Sequence, residues 1–200
     1  GVAADSGGFS QDLTNQGTPT YEQTSLTLNG DTCVRFDGAD SLRYDCLGPI
    51  GHPAIILTEF SLEVWFKVSA TKSGDGYVTY WYNCPEDGTT SRPFQQFRLF
   101  WNVFGGGRLE LTIGHSAQIK SAAGFVPRDT LFHVVVVADE LDTVAGIYGS
   151  FYVYIDKIQY GPYALGSDGI RGGNINITGP AIGSNTNLNQ DLEGDYQAVI

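Results

Sequence analysis

The sequence contains no methionine, only three cysteines and only three histidines among its 200 residues. The missing methionine, even at position 1, indicates a processed chain or an internal fragment of a longer one. Charged residues make up only 16% of the chain, against about 25% in typical soluble domains, so helices with Glu- and Lys-rich surfaces are not expected. No apolar run approaches the roughly 18 residues that span a bilayer, which argues against membrane insertion.

Positive charge is also scarce. Acidic side chains number 22 against 11 basic ones, which gives a formal net charge of -11. A phosphate backbone or an anionic lipid surface would be repelled on average, so nucleic acid is not expected as a partner. Excess carboxylates keep secreted proteins soluble, and the predicted location is extracellular, either secreted or at the cell surface.

The three cysteines lack the paired spacing of a zinc site, and no histidine near them supplies further ligands. In an oxidising compartment, a disulfide between Cys33 and Cys46 would join consecutive strands across a short turn and leave Cys84 unpaired or bonded to another chain. A bond between Cys46 and Cys84 is equally compatible with the sequence. Buried thiols are the third alternative.

Glycine (26), tyrosine (11) and phenylalanine (11) are abundant, which favours short twisted strands joined by tight turns. Apolar and polar residues alternate on both sides of 37–40, so Cys33–Phe36 and Ser41–Tyr44 are predicted to form a hairpin. Alternation over 60–68 predicts that Phe60, Leu62, Val64 and Phe66 share a face toward the core.

The run from Phe132 to Ala138 is continuously apolar, which predicts a central strand buried on both sides. Further strand segments follow one another without helical periodicity. They are 76–82, 94–103, 108–113, 131–138, 150–158 and 181–183. The predicted fold is therefore all-β, a two-sheet antiparallel β-sandwich of the jelly-roll type. We expect a single domain over 1–200, with 1–29 as a surface arm that carries one edge strand.

The order of these segments resembles the laminin-G-like jelly-roll superfamily, including pentraxin-like domains, within the concanavalin-A-like class. The resemblance covers nearly the whole chain. It rests on Ala4-Asp5-Ser6-Gly7-Gly8, Val34-Arg35-Phe36-Asp37-Gly38, Phe60-Ser61-Leu62-Glu63-Val64-Trp65-Phe66-Lys67, Leu131-Phe132-His133-Val134-Val135-Val136, Phe151-Tyr152-Val153-Tyr154-Ile155-Asp156-Lys157, Ala181-Ile182-Gly183 and the closing segment 192–200.

The resemblance implies calcium as a cofactor, because domains of this kind often bind it through loops at one face. By position, Asp87, Asn185 and Asn187 resemble the ligand-bearing loop residues. Pentraxins have acidic side chains where this chain has the two asparagines, and neutral amides attract a divalent ion less strongly than carboxylates do. The alternative is a plain Asx-rich turn.

An aromatic concentration in the middle of the chain predicts a glycan platform, since sugar rings stack on aromatic faces. Tyr80, Tyr82 and Trp101, together with Asn185, are the expected ligand contacts. Trp81 is expected in the core, which would place the two tyrosines on the opposite face. Asn176 begins an N-glycosylation sequon in a Gly-rich stretch.

Catalysis is not expected from these residues. Retaining glycoside hydrolysis uses two carboxylates about 5 Å apart, and the chain has no Glu-x-Asp-x-x-Glu strand. Glu63 stands alone on its strand, and His133 occupies the position of a structural histidine in the resembled family. No nucleophile elbow accompanies the histidines.

The predicted function is a noncatalytic extracellular recognition or adhesion module that binds a glycan or a protein. The alternative is a structural subunit of an extracellular filament, coat or surface assembly, which the polar N-terminal arm, the odd cysteine and the open sheet edges motivate through self-assembly. A glycoside hydrolase or its accessory module is the third possibility.

Overall fold

The computed structural model describes residues 2–3, 13–26, 32–38, 41–43, 58–82, 95–103, 106–113, 117–167, 169–170, 179–182 and 193–199. This part of the chain forms β-strands and contains no α-helix. No segment of it could therefore cross a membrane as a long apolar helix. The strands are β1 (Val2–Ala3), β2 (Leu13–Gln16), β3 (Thr20–Gln23), β4 (Cys33–Asp37), β5 (Ser41–Arg43), β6 (Glu59–Val68), β7 (Gly76–Tyr82), β8 (Gln95–Asn102), β9 (Arg108–Ile113), β10 (Ala117–Lys120), β11 (Leu131–Asp139), β12 (Ser150–Ile155), β13 (Ile158–Ala164), β14 (Gly179–Ile182) and β15 (Glu193–Val199).

The strands form two antiparallel sheets. The eight-stranded sheet has the order β1-β2-β5-β14-β7-β8-β9-β10, and the seven-stranded sheet has the order β13-β12-β11-β6-β15-β4-β3. Their apolar faces pack against each other around one core cluster. The predicted fold class, an all-β two-sheet sandwich, is confirmed.

The pairing of β6 with β11 lies at the centre of the seven-stranded sheet. It runs in unbroken register from Leu131 opposite Lys67 to Asp139 opposite Glu59. Leu62, Val64 and Phe66 are each 0% exposed, as their alternation predicts. Full burial of each such side chain contributes about 1.5–3 kcal/mol, so this strand pair contributes a large share of the core free energy.

The core takes alternate residues from strands of both sheets. Inward side chains of the eight-stranded sheet meet inward side chains of the seven-stranded sheet, and all are nearly inaccessible to solvent. They include Val78, Leu99, Trp101, Leu109, Leu111 and Ile113 from the first sheet and Phe36, Val134, Val136, Phe151 and Val153 from the second.

The prediction that β11 is buried on both sides is wrong. Val134 and Val136 are fully buried, whereas Val135 and Val137 are only half-buried. Successive side chains of a strand point to opposite faces, and only one face of this sheet packs on the core. The apolar run therefore supplies one core face and one partly exposed face.

The predicted hairpin between 33–36 and 41–44 is also wrong, because its two segments belong to different sheets. Strand β4 pairs with β3 and β15 in the seven-stranded sheet, and β5 pairs with β2 and β14 in the eight-stranded sheet. The connection beginning at Gly38, where φ is 96°, crosses between the sheets. A strand-turn-strand pattern does not distinguish a hairpin from such a crossing.

The N-terminal 29 residues, expected to be an arm with one edge strand, contribute three short strands. β1 and β2 pair at one end of the eight-stranded sheet, while β3 forms an edge of the seven-stranded sheet. This segment therefore adds backbone hydrogen bonds to both sheets.

Trp101 was predicted to contact a ligand, but its side chain is 0% exposed and belongs to the core. Its indole Nε1 donates a hydrogen bond to the carbonyl oxygen of Val126 at 2.8 Å. Gly107, with φ 120°, makes this approach possible, because a Cβ there would lie 2.0 Å from the same oxygen. The correction follows from strand alternation, which places Leu99 and Trp101 on the inward face of β8.

Cys33 was predicted to form a disulfide with Cys46, and this prediction is wrong. Cys33 is a buried thiol, 2% exposed, whose Sγ donates a hydrogen bond to the carbonyl oxygen of Thr24 at 3.1 Å. Cys46 and Cys84 lie outside the described residues. The buried-thiol alternative is the one that Cys33 follows.

We predict that Trp101→Ala lowers the free energy of unfolding by about 3–5 kcal/mol, because it removes a large core side chain and leaves the Val126 carbonyl without its donor. Urea unfolding measures this change. Ile147→Ala is the control, since Ile147 is 80% exposed and its truncation should change stability by less than about 0.5 kcal/mol. Equal stability of the two variants would contradict the core assignment.

Candidate functional site

The outward face of the eight-stranded sheet carries charged and polar side chains on adjacent strands. On β8, the positions that alternate with core Leu99 and Trp101 are Arg98, Phe100 and Asn102. On β9, the positions that alternate with core Leu109 and Leu111 are Arg108, Glu110 and Thr112. The register places Arg98 opposite Thr112, Phe100 opposite Glu110 and Asn102 opposite Arg108.

Glu110 lies at the centre of this face, between two cations. Its Oε2 is 3.9 Å from Arg98 Nη2, and its Oε1 is 3.7 Å from Lys120 Nζ. Asn102 Nδ2 donates toward Oε1 at 3.5 Å, and Arg98 Nη2 donates to Thr112 Oγ1 at 3.2 Å. We refer to Arg98, Asn102, Glu110, Thr112 and Lys120 as the Glu110 cluster.

Glu110 and Thr112 of this cluster are buried although they lie on the side of the sheet away from the core. Glu110 is 6% exposed, and the outward aromatic rings beside it, Phe100 and Tyr77, are 5% and 7% exposed. The two rings are 4.7 Å apart, and the Arg98 guanidinium lies 5.4 Å from the Phe100 centroid. A carboxylate removed from water in this way requires nearby cations, and Arg98 and Lys120 supply them.

The contacts to the Glu110 carboxylate are long. Among the described residues, each contact lies between 3.5 and 3.9 Å, beyond the usual 2.7–3.2 Å of an N–H···O hydrogen bond. The carboxylate is therefore held by charge and keeps capacity to accept another hydrogen bond. Lys120, 47% exposed at its side chain, marks the side of the cluster that reaches solvent.

This arrangement has the chemical components of acid-base catalysis. A carboxylate whose oxygens can still accept hydrogen bonds can take up or return a proton. Catalytic hydrogen bonds are often long before substrate binds. Arg98 and Lys120 can stabilise negative charge that develops on a bound molecule. The Glu110 cluster is the candidate active site.

The sequence-predicted ligand contacts are not brought together among the described side chains. The backbone of Tyr80 on β7 pairs with Arg98, so that residue is next to the Glu110 cluster in the sheet, and Tyr82 pairs with Gln95. The side chains of both tyrosines lie outside the part of the chain that the structure describes, and Trp101 is in the core. Asn176, Asn185, Asn187 and Asp87 lie outside the described residues. The described part of the chain has no group of three or more metal-ligating side chains.

A second polar contact lies on the outward face of the seven-stranded sheet. His133 Nε2 is 2.8 Å from Glu63 Oε1, and the imidazole stacks on Trp65 with 4.4 Å between ring centroids. Glu63, predicted to stand alone on its strand, thus has a partner on β11. The two side chains are 23% and 39% exposed for His133 and Glu63, so this pair is a surface contact.

A cavity of about 310 Å³ opens between the sheets near β9, β10, β12 and β13. Most of its lining is apolar, including Leu109, Ile119, Phe125 and Val153, with the Tyr160 side chain at one wall. The titratable side chains in its lining are Lys120, Tyr160 and Tyr163.

The loop after β11 is held by Asp142. Its Oδ2 accepts a 2.6 Å hydrogen bond from the Tyr152 hydroxyl, and its Oδ1 accepts one from Val144 N at 3.0 Å. The hydrogen bond from Tyr152 lowers the pKa of Asp142 below its ordinary value, and the backbone bond from Val144 adds to this. The same contact with Asp142 raises the pKa of Tyr152.

Comparison with solved structures found a similar fold within a larger sialidase chain and a larger phage tailspike chain. A mutant sialidase of Trypanosoma rangeli with trans-sialidase activity has a TM-score of 0.61 and 11% identity, over 94% of this chain and 26% of that one. Tailspike protein 2 of the Escherichia coli O157:H7 bacteriophage CAB120 has a TM-score of 0.56 and 12% identity, over 91% of this chain and 24% of that one. Alginate lyase vAL-1 from Chlorella virus has a TM-score of 0.45 and 9% identity, over 93% and 90% of the two chains.

The chain therefore has a β-sandwich fold of the jelly-roll kind. No protein-family model and no curated protein sequence matches the chain. The chain spans about a quarter of the length of the sialidase and tailspike chains. At these sequence identities, the likeness shows a shared fold alone.

The prediction of a noncatalytic recognition or adhesion module is wrong, as is its alternative of a structural subunit. The finding that overturns them is that this fold occurs in a sialidase and in the enzymatically active domain of the tailspike protein. The prediction that the chain is not an enzyme is corrected on the same ground.

Sequence reasoning missed the Glu110 cluster. The signal present in the sequence is a pair of charged positions, Arg108 and Glu110, separated by a leucine and followed by another leucine, with Arg98 on the preceding strand. That pattern is normally interpreted as a solvated strand face. Only the three-dimensional structure reveals that Phe100, Glu110 and Thr112 on this face are buried.

We predict that Tyr152→Phe lowers the melting temperature most between about pH 5 and pH 9. The depressed pKa of Asp142 gives stability that is present above its unfolded pKa of about 3.9 and is lost as pH falls through the folded pKa. The raised pKa of Tyr152 gives stability that is present below its unfolded pKa of about 10 and is lost as pH rises through the folded pKa. The difference from wild type should therefore shrink at both extremes.

Thermal melts across this pH range, with Tyr154→Phe as the matched control, measure the effect. Tyr154 lies two residues along the same strand on the same face. A melting difference for Tyr152→Phe that stays constant with pH would contradict the assignment.

Proposed function

We propose that this chain processes glycans and that Glu110 is its proton-transfer residue. The observation that carries the proposal is a carboxylate that is 6% exposed, lies between two cations, and faces away from the core. A buried charged residue at such a position does not stabilise the sandwich by itself. Desolvation of its carboxylate costs free energy, which the surrounding cations offset.

Glu110 has a single acid-base role in this proposal. The outward positions next to it on the described strands are occupied by Arg98, Phe100, Arg108, Thr112 and Lys120, none of which is acidic. Retaining hydrolysis uses two carboxylates about 5 Å apart, and these neighbours do not provide the second carboxylate. They provide one proton-transfer group with cationic stabilisation of the developing charge.

The other members of the Glu110 cluster hold this geometry. Thr112 accepts a hydrogen bond from Arg98 and so orients the guanidinium beside the carboxylate. Asn102 donates toward the carboxylate from the neighbouring strand. Phe100 and Tyr77 lie beside the charges on the same face, and these rings strengthen the electrostatic interactions by excluding water.

Fold comparison supports the choice of glycans as the partner. The sialidase and the tailspike protein are larger than this chain, so the activity of a whole protein containing it is part of the proposal. Three further features remain proposals alongside it: a laminin-G-like type of sandwich, an extracellular location, and calcium binding at Asp87, Asn185 and Asn187.

The test is Glu110→Gln, assayed by release of reducing ends from a panel of neutral and acidic polysaccharides. General acid-base catalysis contributes about 100- to 10,000-fold, so kcat should fall by about 100-fold or more while KM changes little. The isosteric amide keeps the shape of the side chain, and a thermal melt verifies that the variant is folded.

Glu63→Gln is the matched control, because it makes the same chemical change on the outward face of the other sheet. Its kcat should remain within about twofold of wild type, since a surface ion pair contributes roughly 0–1 kcal/mol to stability. Wild-type protein that releases no products from any member of the panel, or a Glu110→Gln variant with unchanged kcat, would overturn the proposal.

A further inference from the structure

The two arginines on the outward face of β8 and β9 have unused hydrogen-bonding capacity. The Nε atoms of Arg98 and Arg108 are buried and have no hydrogen-bond partner among the described residues. A buried donor without an acceptor costs free energy, and such a group in a folded protein calls for a specific explanation. These atoms lie at the candidate active site. A bound ligand that supplies the missing hydrogen-bond acceptors would therefore explain them.

The local charge of this face is opposite to that of the whole chain. At the described outward positions of β8, β9 and β10, Arg98, Arg108 and Lys120 face one carboxylate, Glu110. The chain as a whole has a formal charge of -11. A cationic face on an acidic protein attracts anions at that place while the rest of the surface repels them.

The backbone positions of the two arginines are far enough apart to suit an extended ligand. Arg98 is opposite Thr112, and Arg108 lies four residues before Thr112 on β9. At about 3.4 Å per residue, the two arginine backbone positions are separated by roughly 14 Å along the strand direction. Glu110 lies midway between Arg108 and Thr112 on the same face, so its backbone position falls between those of the two arginines along the strand direction.

We propose that this face recognises an acidic glycan and that Arg98 and Arg108 each bind a carboxylate or sulfate group on it. This inference rests on the proposed function, because it names the substrate class of the same site. The Nε–H and Nη–H groups of a guanidinium form a planar fork that matches two oxygens of either anion. On Arg98 the Nη2 atom is already bonded to Thr112, which fixes the orientation in which its Nε–H is presented.

The experiment compares matched charged and neutral polymers. Dissociation constants are measured for polygalacturonate and its fully methyl-esterified form, which test the carboxylate, and for dextran sulfate and dextran, which test the sulfate. Wild type should bind at least one charged polymer about tenfold or more tightly than its neutral partner, because hydrogen bonds to charged groups are the stronger ones. Binding should weaken as NaCl rises.

The variant Arg108→Met should reduce binding of that charged polymer about tenfold or more. Arg98→Lys keeps the positive charge but removes the fork, and it should also weaken binding. Arg35→Met is the matched control, since Arg35 is exposed on β4 of the other sheet and its loss changes the net charge equally. Arg35→Met should bind as wild type does.

Equal binding of charged and neutral polymers, or unchanged binding by Arg108→Met and Arg98→Lys in folded protein, would overturn the inference. So would an absence of binding to both charged polymers. Glu110→Gln separates this inference from the proposed function, because it should retain or strengthen anion binding while losing turnover. Turnover of neutral glycans that depends on Glu110 would uphold the proposed function and reject acidic-glycan recognition.

Discussion

The apolar faces of the two sheets can leave water only by packing against each other, and this constraint determines where every other side chain lies. Leu62, Val64 and Phe66 on β6 meet the inward residues of the opposing sheet, of which Trp101 is the largest. Because side chains alternate along a strand, each inward residue determines that its neighbours point outward. The position of Glu110 follows from the burial of Leu109 and Leu111 on either side of it.

Burial on both faces of β8 and β9 distinguishes this part of the sandwich from the opposite sheet. On the seven-stranded sheet, the outward residues Val135 and Glu63 are half-buried, and the Glu63–His133 contact reaches solvent. On the eight-stranded sheet, Phe100 and Glu110 are almost inaccessible although they are outside the core. Desolvating a carboxylate there costs free energy, which the nearby cations Arg98 and Lys120 partly offset.

Alternation in the sequence predicted the parts of the fold that depend on local pattern. The inward face of β6 and the two-sheet class both follow from period-two spacing, and both are confirmed. Pairing between β4 and β5 was predicted wrongly because a turn signal states where a strand ends and not which sheet the next strand joins. Trp101 was predicted to contact a ligand because the aromatic concentration suggested a sugar platform, and alternation on β8 leaves open which face is inward.

The candidate site could not be predicted for a related physical reason. Arg98, Arg108 and Glu110 occupy outward positions that look like an ordinary solvated face in the sequence, and the burial of Glu110 depends on tertiary packing. The missing carboxylate pair was interpreted as evidence against any catalysis, although it argues only against one mechanism of hydrolysis. A single carboxylate between cations supports a different acid-base arrangement.

The most direct measurement of the central claim is a crystal structure of the chain soaked with an oligosaccharide. Density for the sugar is expected along the outward face of β8 and β9, with a sugar oxygen within hydrogen-bonding distance of a Glu110 carboxylate oxygen. A sugar bound only at another surface, such as the face that carries His133 and Trp65, with the Glu110 cluster unchanged, would contradict the account.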